Sequence, residues 1–212
     1  CCWPIDAPDT PADLLNADDW DEATRGMDYV VHIASPFILE EPEDENELIR
    51  PAKEGTLNVL KAAEKNGVKR VVQTSSFAAI AYGHDDSPDK FDENYWTNED
   101  NKKATSAYVR SKAIAEKAAW EYVEQPDVKL ELAVINPVAI LGPVLEKDPG
   151  TSAEMVRQML AGEMPANIKM GFEIVDVRDV AELHVAAMEK PEAAGNRYIA
   201  ASGFRWFSEI SD

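Results

Sequence analysis

Lys69-Arg-Val-Val-Gln-Thr-Ser-Ser76 reads as a short β-strand with an apolar, β-branched centre and a cluster of hydroxyls at its carboxyl end. Before it, Glu45 to Asn66 carries Leu48, Leu57, Val59, Leu60 and Ala63 at helical spacing. Pro51 should bend that helix or mark its true start. Asn66-Gly67 should close it in the left-handed manner. Further upstream, Asp28-Tyr-Val-Val-His-Ile-Ala34 is another apolar run, and it gives way to Ser35-Pro36. It reads as a buried parallel strand running into a loop. The residues up to about Asp13 look irregular, and Asp19 to Gly26 is expected to form a short helix.

Downstream, a polar loop from Asp85 to Lys103 contains Trp96, and a helix is expected from Ser106 to Glu124 with Pro126 just beyond it. Leu130 to Ile135 forms the next expected strand, stopped by Asn136-Pro137. A helix over Ser152 to Leu160, a strand over Phe172 to Val175, a helix over Asp179 to Glu189 with Asp179 as N-cap, and a strand over Arg197 to Ala200 complete the pattern. Strands alternating with helices define an α/β chain with a parallel sheet. Ligands of such sheets lie beyond the carboxyl ends of the strands. Ala34-Ser35, Ser75-Ser76 and Asn136-Pro137 sit at three such ends and should face one crevice.

Composition narrows the field. The chain has 212 residues, 45% hydrophobic and 29% charged, which suits a globular domain with a core rather than a disordered segment. Its formal charge of −19 argues against nucleic acid or an anionic membrane as partner. No apolar run is long enough for a membrane span and no basic-then-apolar leader is present, so a cytoplasmic location is expected. The two adjacent cysteines cannot build a disulfide framework. No His, Cys and Asp cluster has metal-ligand spacing. His32 and His184 read as structural.

The residues with chemical potential are Tyr108 and Lys112, in Tyr108-Val-Arg-Ser-Lys112. Four residues apart on a helix, they share a face and can reach one site. Alone, such a pair is a weak signal. Combined with Thr74-Ser75-Ser76 at the end of a parallel strand, it is far more specific.

At this point the chain resembles the extended short-chain dehydrogenases/reductases of the NAD-dependent epimerase/dehydratase family. Dihydroflavonol reductases and fungal methylglyoxal/carbonyl reductases are similar to it. The matching segments are Asp28 to Phe37, Pro51 to Leu60, Arg70 to Ala79, Tyr108 to Lys112, Asn136 to Pro143 and Asp176 to Ala181, in the family's order. Ala34-Ser-Pro-Phe37 together with Asn136-Pro137 points to the fungal carbonyl reductase branch.

The resemblance implies a Rossmann-like doubly wound sheet over residues 1–143 and part of a substrate lobe over 144–212, interleaved with the last strands. It implies reduction of an aldehyde or ketone by NADP(H) in preference to NAD(H), on a small-molecule carbonyl substrate, by a monomer or homodimer. Ser76, Tyr108 and Lys112 would be the catalytic trio. Tyr108 would donate the proton, and Lys112 would lower its pKa and hold the nicotinamide ribose. Ser76 would hydrogen-bond the carbonyl oxygen. Ala34, Ser35, Thr74, Ser75, Pro137 and Val138 would contact the cofactor with Tyr108 and Lys112, and Asp13 and Leu14 would lie near its adenine. Phe37 and Phe77 would wall the substrate pocket.

The chain also departs from the family. None of its 10 glycines forms GxGxxG or GxxGxxG, the turn that lets backbone approach a pyrophosphate. The chain is therefore expected to begin near the family's third strand, to stop before its last helices, and by itself to bind neither cofactor tightly. Missing strands would leave apolar edges exposed. Two other readings stand beside the reductase. A nucleotide-sugar epimerase or dehydratase is disfavoured by Ala52, where those enzymes commonly carry Asn, and by the longer run Ser75 to Gly83. The other is an inactive product or binding module that retains the trio.

Overall fold

The computed structural model describes residues 11–37, 41–86, 88–144, 154, 156–158, 161, 163, 171–206 and 209. In chain order these form α1 (Ala17–Ala23), β1 (Tyr29–His32), α2 (Asn46–Lys65), β2 (Arg70–Thr74) and a 3₁₀ turn (Phe77–Ala79). Then come α3 (Ala107–Val123), β3 (Glu131–Pro137), β4 (Ala139–Leu141) and β5 (Gly171–Asp176). Last are α4 (Val177–Glu189), a 3₁₀ turn (Pro191–Ala193), β6 (Asn196–Ala200) and β7 (Gly203–Trp206).

Strands β1, β2, β3 and β6 lie side by side in that order, all parallel. Alternation along each strand feeds two cores. Val71, Leu132 and Val134 point to one face and pack with Leu60, Ala63 and Ala119 of α2 and α3. Val72, Ala133 and Ile135 point to the other and pack with Val180 and Ala187 of α4. The sheet is thus covered on both faces, the doubly wound arrangement expected from its continuous apolar strands. A smaller sheet of β4, β5 and β7 follows, with β5 parallel to β4 and antiparallel to β7.

Local chemistry explains the boundaries. Asn66 ends α2, Gly67 takes φ +73°, and the amides of Gly67 and Val68 donate to Glu64 and Ala63 carbonyls at 3.0 and 2.9 Å. This is a glycine-terminated helix end of the expected kind. Pro51, expected to bend the helix or open it, does not open it: α2 begins at Asn46 and the proline sits inside. It forfeits one amide donor, while neighbouring Leu48 and Ala52 are buried. Four residues later, the absent side chain of Gly55 makes room for Leu14, whose Cδ2 would stand 2.8 Å from a Cβ at that position.

Arg70 is 1% exposed, at the start of β2. Its Nη1 donates to the carbonyls of Ala187, Met188 and Lys190 at 2.7, 3.1 and 2.6 Å, and its Nε to Glu131 at 2.8 Å. It satisfies the orphan carbonyls at the end of α4.

Other boundaries differ from expectation. The strand expected to stop at Ile135 continues through Asn136 and Pro137, because β6 lies alongside and pairs Asn136 with Ile199 and Pro137 with Ala200. Asp179 is not the N-cap of α4. The side chain of Asp176 accepts from the Arg178 amide at 2.8 Å, so the last residue of β5 caps the helix and Asp179 stands in its first turn. Strands β4 and β7 were not anticipated at all. Of the helix expected over Ser152 to Leu160, only 154 and 156–158 are described, and they are helical; the rest lies outside the described residues. No helix among the described residues is long and apolar enough to cross a membrane.

Candidate active site

The register of the parallel sheet sets the site. His32 pairs with Gln73, and Gln73 with Val134; Thr74 then pairs with Ile135, and the Ser75 amide donates to the Ile135 carbonyl at 2.8 Å. Strands β1, β2 and β3 therefore end nearly level. Ala34-Ser35, Ser75-Ser76 and Asn136-Pro137 all emerge at that rim, as the sequence suggested. Ser76 has an extended backbone (φ −161°, ψ 152°) and its Oγ accepts from the Ala78 amide at 3.1 Å, turning the chain into the 3₁₀ segment.

Helix α3 brings the other groups. Ser106 caps it, accepting from the Val109 amide at 3.3 Å. Glu41, arriving from the loop after β1, accepts from the Ala107 amide at 2.7 Å. Buried Arg110 ties the same loop down through Glu45 at 2.7 and 3.0 Å. Held in this way, the Tyr108 phenol lies close enough to the Ser76 side chain for Ser76 to favour its ionised form. The Lys112 ammonium lies 5.5 Å from the Tyr108 ring centroid, and Phe37 meets that ring edge-on at 4.9 Å. The structure thus joins Ser76, Tyr108, Lys112 and Phe37.

Electrostatics modifies one expectation. Lys112 was expected to pull the Tyr108 phenol down. Instead burial pushes it up; the Ser76 hydrogen bond opposes that shift, and the nearby Tyr82 adds to it. The phenol is therefore protonated at neutral pH, the form that can give a proton. Burial alone brings Lys112 down to about 8. His32, 5% exposed at the end of β1, is lowered to about 4, by burial first and the Lys112 charge second.

This has a measurable consequence. His32 binds its proton in the unfolded chain near 6.5 but in the folded one only near 4, so its stabilising contribution is complete above 6.5 and lost as pH falls towards 4. The loss should approach roughly 3 kcal/mol. Urea unfolding at a series of pH values should show it in the wild type and not in His32→Phe, which keeps a ring against the Trp20 edge.

The remaining expected residues are placed as follows. Ala34 is exposed and Ser35 half-buried, both in the segment after β1. Thr74 bonds His184 Nε2 through its hydroxyl at 2.6 Å, and His184 Nδ1 donates to the Val180 carbonyl at 2.7 Å. Buried Ser75 turns its hydroxyl away to Glu116. Pro137 ends β3, and Val138 packs on the α4 side of the sheet. Phe77 packs edge-on against Phe91, which in turn packs against Tyr95.

Asp13 and Leu14 are not brought to the trio. Leu14 rests on Gly55, its carbonyl accepts from Asn58 at 2.9 Å, and the Asp13 carboxylate accepts from the Leu15 amide at 2.7 Å. Sequence reasoning missed Glu116, Arg197 and the side-chain role of Asn136. Glu116 could have been noticed as an acid on the buried, alanine-rich face of α3, in step with Tyr108 and Lys112. No group of His, Cys, Asp and Glu that could hold a metal occurs among the described residues.

The two ends of a nicotinamide dinucleotide fit these residues unequally. The reactive end suits them: Lys112 is a half-buried cation with no carboxylate partner among the described residues, beside a protonated phenol and a serine hydroxyl. A pyrophosphate finds no glycine-rich turn anywhere in the sequence.

Comparison with known proteins agrees with the geometry. The model of the NAD dependent epimerase/dehydratase family matches residues 8–201. A cinnamoyl-CoA reductase from Medicago truncatula is 38% identical over 204 residues, covering 94% of this chain and 61% of that protein. The yeast methylglyoxal/isovaleraldehyde reductase Gre2, solved with NADPH, superposes with a TM-score of 0.80 at 32% identity, over 92% of this chain and 63% of its own. Vestitone reductase from alfalfa superposes with a TM-score of 0.77 at 29% identity, over 94% and 62%. The chain thus spans a little under two thirds of the length of these relatives. With a matching family model, a parallel sheet like that of solved reductases and a site at its strand ends, the chain belongs to the NAD dependent epimerase/dehydratase family.

Proposed function

We propose that the protein reduces an aldehyde or ketone to an alcohol, with NADPH preferred to NADH. The observation that carries this reading is the meeting of Ser76, Tyr108 and Lys112 at the carboxyl ends of β2 and β3. The dinucleotide would supply the hydride. Tyr108, protonated at neutral pH, gives the proton to the carbonyl oxygen. Ser76 orients that oxygen by hydrogen bonding as charge develops on it. Lys112, the cation beside the Tyr108 ring, would hold the ribose hydroxyls. Ala34, Ser35, Thr74, Pro137 and Val138 line the cofactor side; Phe37 and Phe77 line the substrate side. Residues 1–143 form the cofactor-binding part and 144–212 contribute to the substrate lobe. The relatives support the chemistry, since each is named a reductase and Gre2 was solved with NADPH.

Two measurements test the reading. The full-length protein should consume NADPH when given a simple aldehyde or diketone; no consumption across such a panel would overturn it. Calorimetric titration should find weak binding of NADPH and NADH to the 212-residue chain alone, because it has no glycine-rich turn to cradle phosphate. Micromolar affinity would mean that other residues do that work.

A further inference from the structure

Glu116 follows Lys112 by one helical turn and Tyr108 by two, so all three share a face of α3. It is fully buried, at 0% exposure. Its Oε2 accepts from Ser75 Oγ at 2.5 Å and from Asn136 Nδ2 at 2.7 Å. Its Oε1 accepts from Arg197 Nε at 2.6 Å and, at 3.4 Å, from Trp120 Nε1. Asn136 Nδ2 also donates to the Ser76 carbonyl at 3.1 Å. Besides the Ala78 and Ala79 amides, two contacts hold Ser76, one through its own carbonyl and one through its neighbour Ser75, and both lead to one carboxylate.

Arg197 carries the connection outward. Its Nη1 donates to the carbonyls of Glu93 and Tyr95 at 2.9 and 2.8 Å, and its guanidinium stacks on Trp96 at 3.7 Å. Stability does not account for this arrangement, since a buried ion pair replaced by apolar residues is often neutral or stabilising. The network also leaves Asn136 Oδ1 and Arg197 Nη2 without hydrogen-bond partners among the described residues. What it achieves is registration: the end of β2, the end of β3 and the face of α3 bearing Tyr108 and Lys112 all converge on Glu116.

We propose that Glu116 is a positioning residue that sets the Ser76 hydroxyl against Tyr108, acting through Ser75 and Asn136, with Arg197 fixing Glu116 in turn. This rests on the reductase reading of the trio. The charge matters to the role: a glutamine of the same shape must turn its amide donor towards Asn136 Nδ2 or towards Arg197 Nε, and each of these already donates to Glu116.

The test uses the full-length protein with Glu116→Gln, the apolar double variant Glu116→Leu with Arg197→Met, and Tyr108→Phe as reference. Glu116→Gln should lower kcat by about ten- to a hundredfold, the scale of a lost hydrogen bond to a charged group, with KM for NADPH little changed. Its Tyr108 phenol, followed by ultraviolet difference titration against Tyr108→Phe, should ionise at higher pH than in the wild type, because the Ser76 hydrogen bond that favours phenolate is loosened. The double variant should recover thermal stability but neither kcat nor the phenol titration. Recovery of all three would make the pair merely structural and overturn the proposal. A wild type that reduces no carbonyl would overturn the reductase reading instead. The titration then still decides on Glu116, and an unmoved phenol in Glu116→Gln would overturn its role.

Discussion

Tyr108→Phe is expected to lower carbonyl reduction by about 10²–10⁴-fold, the usual contribution of a positioned general acid, and to leave NADPH affinity close to that of the wild type. Phenylalanine keeps the ring that meets Phe37 edge-on at 4.9 Å and lies 5.5 Å from the Lys112 ammonium. Only the hydroxyl is lost, together with its contact with Ser76. Steady-state kinetics paired with NADPH titration reads the two quantities separately. A variant retaining more than about a tenth of the wild-type rate would take Tyr108 out of the acid role.

Lys112→Met should act in two opposite directions. Turnover and NADPH affinity should both fall if Lys112 holds the ribose as proposed. Stability at neutral pH rises. Burial brings the Lys112 ammonium to about 8 in the folded protein against 10.5 for an ordinary lysine. Below 8 both folded and unfolded chains carry the proton, and the full cost of burying the charge is present. Between 8 and 10.5 the folded chain sheds it first, so the cost disappears as pH rises. Methionine has no such cost at any pH. The variant should melt above the wild type at neutral pH, by roughly 2–4 °C for each kcal/mol recovered, and the gap should close by pH 10.5. Equal melting temperatures throughout would mean that the ammonium is well solvated and the site more open than its packing implies.

Much of this was legible in the sequence, for physical reasons. The runs at Tyr29–His32 and Arg70–Thr74 are short, apolar and β-branched, and they alternate with helices whose stops are written in Asn66-Gly67 and Pro126. Helical spacing paired Tyr108 with Lys112 and the hydroxyl cluster marked the end of β2, and the family resemblance then singled out Ser76 and the trio. The Glu116–Arg197 pair was invisible, since its members stand 81 residues apart and neither has a local signature. The cap of α4 was misassigned because β5 runs into the helix with no turn residue between them, which hides the boundary. Strand β4 has three residues, and β7 is a mostly exposed four-residue run without the apolar β-branched centre that marks β1. The Tyr108 phenol was expected to fall because sequence spacing reveals a neighbouring charge and says nothing of desolvation.

Arg70 also bears on the order in which the molecule can assemble. Its guanidinium reaches carbonyls 117, 118 and 120 residues further along the chain. Until α4 has been synthesised and has docked, β2 would bury a cation deprived of those acceptors. The first sheet therefore does not close on its amino-terminal part alone. A nascent chain that stops short of residue 190 would leave Arg70 with Glu131 but without its three carbonyl acceptors, so completion of the β2 edge should await α4.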